Sequence, residues 1–261
     1  MTQYLARPIS KGALPAVLAL LMTLLALPAA FAEEEGLYIE TLNHTSGLMG
    51  ETPTEELSKT YIAYGKMKVA SSKSDGADMI LDPTTGTMTF LNNAKKEYYQ
   101  IDVKSMMEGM SQPGMEQMRA MMEKTQIKVE DTGETRKIGD WDCTKYEVTK
   151  TGMMDIQQEI WAAKDVDLDL DRFNNLMSMS GPNGLLGDSA AAKAQRAEME
   201  KVKGYPILTK TRMQMMGSTM ETESEVKVIR HEPMPASMFE IPDGYTLKDM
   251  MAAPPSAAGH P

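Results

Sequence analysis

Cysteine is nearly missing from this 261-residue chain, which has Cys143 and no other. A lone thiol cannot close an internal disulfide, so the fold must be held by burial alone. The strand-like setting of Cys143 marks it as a small buried hydrophobe. Histidine is almost as scarce: His44, His231 and His260 lie far apart, and none shares a local motif with a serine, cysteine or acid. No nucleophile elbow, phosphate loop or zinc spacing occurs, so the chain is read as non-enzymatic, with no catalytic residue, metal site or cofactor assigned. Basic residues are also short, 27 against 37 acidic, for a formal charge of −10. That field makes nucleic acid and anionic membrane surfaces poor partners. Leucine disappears altogether between Leu91 and Leu168.

A long apolar run occurs once, at residues 13–27, behind Arg7 and Lys11 and ahead of Ala30-Phe31-Ala32. This is the pattern of a secretory signal peptide over residues 1–32, cleaved after Ala32. The run is shorter than the roughly 20 apolar residues that a spanning helix needs, and Pro15 and Pro28 bracket it. No cysteine follows for lipid attachment. The expectation is a periplasmic protein without membrane insertion after cleavage, comprising one domain over residues 33–248 and a disordered, Pro-rich tail over 249–261.

Between those ends the dominant texture has period two. From residue 36 to 102, apolar and polar residues alternate, and Asp75-Gly76, Thr85-Gly86 and Asn92-Asn93 stand where hairpins would turn. The texture returns over residues 126–164, with turn signals at Thr132-Gly133, Gly139-Asp140 and Thr151-Gly152. Two helices follow. One starts at Asp169 or Asp171 and stops before Gly181-Pro182; the other is capped by Asp188, carries Lys201 and Lys203 in its last turn, and ends before Gly204. A hairpin turning at Gly217-Ser218 and a closing strand complete the chain. This pattern predicts an α+β fold, a twisted antiparallel sheet with helices packed on one face.

Where leucine is missing, methionine is dense. Residues 105–124 hold Met106, Met107, Met110, Met115, Met118, Met121 and Met122. Gln112-Pro113-Gly114 divides the stretch into two helical pieces, with Pro113 in the first turn of the second. At about 100° per residue, Met115, Met118, Met121 and Met122 fall within a stripe of roughly 120°, opposite Glu116, Gln117, Arg119, Glu123 and Lys124. Met106, Met107 and Met110 share a face of the first piece by i, i+3 and i+4 spacing. Three readings compete: a core-facing helix, a movable cover whose unbranched thioethers bind an apolar ligand over the concave face of the sheet, and a Cu(I) site. The assignment carried forward is the second. All seven methionines are ligand-binding, and the partner is an apolar small molecule or lipid, an acyl chain or a lipidated protein. The alternatives are a Met-rich periplasmic Cu(I)-binding protein, or a structural envelope protein with a protein partner.

Other constellations are weaker. Asp165, Asp167, Asp169 and Asp171 alternate like the start of a calcium loop but lack its Gly and its final Glu, so an extended segment is the simpler reading. Asn43-His44-Thr45 is an N-glycosylation sequon. Trp141 and Trp161 sit in strand-like segments as packing residues.

Several segments together resemble a family of uncharacterised secreted bacterial proteins, a domain of unknown function assigned to the LolA/LolB-like lipoprotein-carrier superfamily. They are residues 61–69 (YIAYGKMKV), 97–102 (EYYQID), the Met-rich insert from Ser105, 137–148 (KIGDWDCTKYEV), 159–166 (EIWAAKDV), 204–211 (GYPILTKT) and 238–245 (MFEIPDGY). The resemblance implies an incompletely closed antiparallel barrel with helices plugging its concave side, where carriers of that superfamily hold lipid or acyl chains. It transfers no ligand and no binding residue.

Overall fold

The computed structural model describes residues 33–46, 52–73, 76–110, 112–152, 155–166, 189–215 and 218–248, with the side chains of Met107, Met110 and Met215 outside that set. The signal segment, the tail and the helix expected from Asp169 or Asp171 lie outside the described residues.

Two meanders make up the sheet. The first is β1 (Glu34–Thr45), β2 (Thr54–Ala63), β3 (Lys66–Ser71), β4 (Ala77–Asp82), β5 (Thr87–Asn92) and β6 (Glu97–Asp102). The second is β7 (Gln126–Ile138), β8 (Trp141–Thr151), β9 (Asp155–Ala163), β10 (Tyr205–Met215) and β11 (Ser218–Met234). β1 pairs with β11 and fuses the two, and β12 (Thr246–Leu247) adds to the far edge. The order is β12-β6-β5-β4-β3-β2-β1-β11-β10-β9-β8-β7, antiparallel except where β12 meets β6. The product is a mostly β, mixed, open sheet, and the balance expected of an α+β fold gives way because the described helices are few and short. They are α1 (Val103–Met110), α2 (Glu116–Glu123) and α3 (Ala190–Met199), with a 3-10 turn at Ala236–Phe239.

Local chemistry explains most boundaries. Asp82 Oδ1 accepts from the Thr84 N–H (2.9 Å), and Gly86 takes φ 69°, so the β4–β5 turn forms where expected. Asn92 Oδ1 does the same for the Lys95 N–H (3.0 Å). The β2–β3 hairpin forms without an Asn-Gly or Asp-Gly signal. It turns at Tyr64 (φ 53°) and Gly65 (φ 69°), a left-handed pair that suits a two-residue hairpin but strains tyrosine. Tyr64 is held there because its hydroxyl donates to the Met234 carbonyl (2.8 Å) and accepts from the Glu34 N–H (2.9 Å), while its ring meets Phe239 edge-on.

Thr132-Gly133 is a bulge and not a turn. β7 runs straight through it and its register against β8 shifts between Asp131 and Thr135. The Gly133 N–H finds Asp131 Oδ1 at 2.9 Å, and Thr132 Oγ1 donates to the Lys145 carbonyl at 3.1 Å, so the bulge satisfies its own polar groups. β7 is an edge strand, and this bulge together with Lys128, Glu130, Asp131 and Glu134 discourages pairing with another chain. The closing segment is likewise corrected. Only Thr246 and Leu247 form a strand, after residues 238–245 have packed Met238, Phe239, Ile241 and Tyr245 against Tyr38, Ile80 and Leu91.

Two further register shifts, at Glu40/Thr41 against β11 and at Pro206/Leu208 against β9, interrupt the middle of the sheet. The largest core gathers there: Leu37, Ile39, Ile62, Met67 and Leu81 from the first meander join Cys143, Trp161, Ile207, Leu208 and Val226 from the second. Cys143 is the small buried hydrophobe expected; burial raises its thiol pKa, so it is a poor nucleophile.

α3 and the turn after it cover part of the sheet, setting Met199 and Val202 on the cluster of Val129, Tyr146, Val148 and Ile160. Its cap is Ser189, not Asp188: Ser189 Oγ accepts from the Ala192 N–H at 3.1 Å. The helix ends at Met199, so Lys201 and Lys203 fall beyond it. A Ser189→Ala variant should lose about 1 kcal/mol, read from the urea midpoint, whereas Ser189→Asp should stay near wild type.

Candidate functional site

The strand register builds a groove that no local motif announces. Six strands, in spatial order β8, β9, β10, β11, β1 and β2, surround a cavity of about 870 Å³. One line of cross-strand neighbours reads Glu147, Glu159, Lys210, Glu223, His44 and Glu55, and a second reads Thr149, Gln157, Arg212 and Glu221, beside Ser46 and Pro53. The residues between them, including Val148, Thr211, Thr222 and Thr45, alternate to the other side of the sheet.

Charges in the groove are paired across strands. Arg212 reaches Glu221 at 2.8 Å and Lys210 reaches Glu223 at 3.3 Å, and the His44 imidazole Nδ1 lies 3.2 Å from the Glu55 carboxylate. At one wall Lys145 sits among Glu147 (3.3 Å), Glu159 (3.5 Å) and Glu134 (3.6 Å). Burial works against that ammonium, yet the surrounding carboxylates hold its pKa above the usual lysine value. Glu159 is held below the usual carboxylate range, first by the Trp161 indole N–H at 2.7 Å and then, against some desolvation, by Lys145. Trp161 is thus a buried packing residue with a satisfied N–H; Arg136 stacks 4.0 Å from its ring centroid.

A groove walled by ion pairs, hydroxyls and amides suits polar groups and gives an acyl chain nothing to displace. Of the residues that line it only Pro53 and Val148 are apolar, and the Val148 side chain is buried on the opposite face. An apolar trough is therefore not what this cavity supplies. The signal that could have found it is the run of alternating charges in Lys210 and Arg212 facing Glu221 and Glu223, legible only once the hairpin register is known.

The methionines lie elsewhere. α1 starts on Asp102, whose Oδ1 accepts from the Ser105 N–H at 2.6 Å, an interaction that lowers the carboxyl pKa. α2 begins at Glu116, so Pro113 stands in the preceding turn, where Gly114 has φ 99°. Met106 (41%), Met118 (48%) and Met121 (42%) are exposed, while Met115 and Met122 are half-buried. α2 has no buried residue, which removes the core-facing reading of its stripe. Periodicity defines a face; it does not say what that face meets.

The remaining sequence features resolve simply. Asn43 donates to Ser58 Oγ (2.9 Å) and accepts from the Ser224 hydroxyl (2.7 Å), so its amide is engaged within the sheet rather than presented for glycosylation. Asp167, Asp169, Asp171 and His260 lie outside the described residues. Among the described residues no group of three or more His, Cys, Asp or Glu is placed to hold a metal, and no helix is long and apolar enough to cross a membrane.

Residues 55–245, most of the chain and all of the sheet but β1, β12 and the first residue of β2, match the model of DUF4412, a domain of unknown function. The chain belongs to the DUF4412 family. No curated protein matches it. Among solved structures this DUF4412 protein is similar to the LolA superfamily protein NE2245 from Nitrosomonas europaea, at 6% identity and a TM-score of 0.34, over 79% of this chain and 90% of that one. It is also similar to PNGF-II, at 11% identity and a TM-score of 0.37, over 83% of this chain. It spans 31% of the PNGF-II chain. What the DUF4412 domain binds must be argued from its own residues.

Proposed function

We propose that this DUF4412 protein is a non-enzymatic periplasmic binding protein for an apolar ligand, a lipid, an acyl chain or a lipidated partner. In this reading residues 1–32 direct secretion, residues 33–248 form one domain, and its sheet is an incomplete half-barrel. The ligand contacts Met106, Met107, Met110, Met115, Met118, Met121 and Met122 of the α1–α2 region.

One observation carries the reading. Of the four large hydrophobic side chains exposed among the described residues, three are Met106, Met118 and Met121 of these two short helices, and the fourth is Leu247 at the sheet edge. Exposed apolar groups gathered on one segment mark an interaction site, and unbranched thioethers repack around whatever chain they meet. Because the groove is polar, this reading puts the ligand against the helices and not in the cavity.

Native mass spectrometry of protein purified from its own periplasm should show a bound lipid mass that delipidation removes. A Met118→Glu/Met121→Glu variant should hold that lipid at least about ten-fold more weakly, because two thioether contacts are replaced by charge. An identical apo mass before and after delipidation would overturn the reading. Tight Cu(I) uptake abolished by Met→Leu changes would replace it with the copper alternative, and a crosslinked protein partner indifferent to those changes with the structural one.

A further inference from the structure

One cation in the second meander is unlike the others. Lys150 of β8 faces the same side of the sheet as the fully buried Tyr146 and Val148. Its cross-strand neighbours are Ile127 of β7 and Ile156 of β9, and the line continues through Met213 of β10 to Met220 of β11. All four of those apolar side chains are half-buried. Lys150 is half-buried with them, and its ammonium makes no hydrogen bond or ion pair among the described residues. Desolvation alone acts on its ammonium and lowers its pKa. Lys145, five positions back and on the other side of the sheet, has three carboxylates around it.

An unpaired ammonium in an apolar line is a costly arrangement in a chain of formal charge −10, where acids to neutralise it are plentiful. An anion can approach with little repulsion only at such an unpaired cation, and a partly desolvated ammonium holds a carboxylate more strongly than one in open water. The line Ile156, Met213 and Met220 then offers a track for the chain attached to that anion. The site also lies close in sequence and register to the end of α2. α2 ends at Glu123, Thr125 Oγ1 donates to the Met121 carbonyl (3.4 Å), and Ile127, two residues further on, lies opposite Lys150.

We propose that Lys150 is the headgroup anchor for a monomeric single-chain anionic amphiphile of the fatty-carboxylate class, whose hydrocarbon chain lies along Ile156, Met213 and Met220. The proposal deepens the apolar-ligand reading and rests on it, since it names the charge that selects among apolar chains.

The test is isothermal titration of the full-length mature protein with laurate and dodecyltrimethylammonium, each below its micelle concentration, and with dodecanol below its solubility limit. Laurate should bind tightest, by about ten-fold over dodecanol, the discrimination expected of one charge-assisted contact. Lys150→Met should bring laurate down to the dodecanol value while leaving dodecanol unchanged, and Lys150→Arg should restore the preference. Lys150→Gln, which keeps a polar tip, serves the same purpose should the methionine variant misfold. Equal binding of laurate and dodecanol to the wild type, or an undiminished preference in both neutral variants, overturns the anchor but leaves the apolar-ligand reading standing. Absence of binding by all three probes overturns both. Binding to phosphatidylglycerol vesicles without binding of monomeric laurate would show a surface that reads membranes, and would likewise overturn the proposal.

Discussion

Gly204→Ala should lower stability by about 3 kcal/mol or more, shifting the melting temperature by roughly 10 °C for a domain of this size. Gly204 links the end of the α3 segment to β10 and holds φ 108°, which L side chains rarely adopt. A β-carbon there would stand 2.5 Å from the carbonyl carbon of Ala163, closer still to its oxygen, and 3.0 Å from the Lys164 nitrogen. These are backbone atoms of the end of β9, which β10 pairs with, and of the residue after it, so no side-chain rotation can relieve the overlap. Gly65→Ala is the control. Gly65 is also left-handed, at φ 69°, but nothing lies within 4 Å of its added carbon. It should cost only about 1 kcal/mol, the conformational strain without the collision. Were the two variants to melt together, close approach to Ala163 would not be the reason for the glycine.

Leu81→Ala should cost about 3 kcal/mol by urea denaturation, within the range for emptying a fully buried leucine site. Leu81 is completely buried, and the register places it between Met67 and Met88, with Ile62 next along the same line. Methionine bends into space that leucine leaves, so the cavity should partly close and hold the loss below the upper end of that range. Leu247→Ala, at a site 55% exposed, should change stability by less than about 0.5 kcal/mol. A Leu81→Ala loss no larger than that of Leu247→Ala would contradict the placement of this core.

The sequence was most informative where a signal is local. Asp82 to Gly86, Asn92, Gly139-Asp140 and the glycine before β10 all lie at the turns expected, because a side chain of residue i meeting a backbone N–H two or three places on needs nothing from the rest of the chain. The failures share a different cause. Tyr64 turns a hairpin only because Met234 and Glu34, far along the chain and before it, accept and donate to its hydroxyl. Gly133 reads as a turn but is a bulge because β8 continues past it. Ser189 displaces Asp188 as cap by one residue, a difference that composition cannot resolve.

The candidate sites divide the same way. The methionine faces of α1 and α2 were visible from spacing, but the exposure of Met106, Met118 and Met121 was not, since a stripe looks identical whether it meets a core or water. The groove and the Lys150 line were invisible, because each is assembled from one or two residues on several different strands.

Residue order alone determined the alternation that makes strands, the glycines and short polar residues that turn them, the burial of Cys143 and the presence of a methionine-rich insert. Long-range pairing decided the rest. Joining β1 to β11 aligns two meanders into one sheet, and three register shifts within it select which side chains stand together as core, as polar groove or as an apolar line around one lysine. A shift of one residue moves every later side chain to the opposite face, so those juxtapositions belong to the register of the whole sheet and to no segment of it.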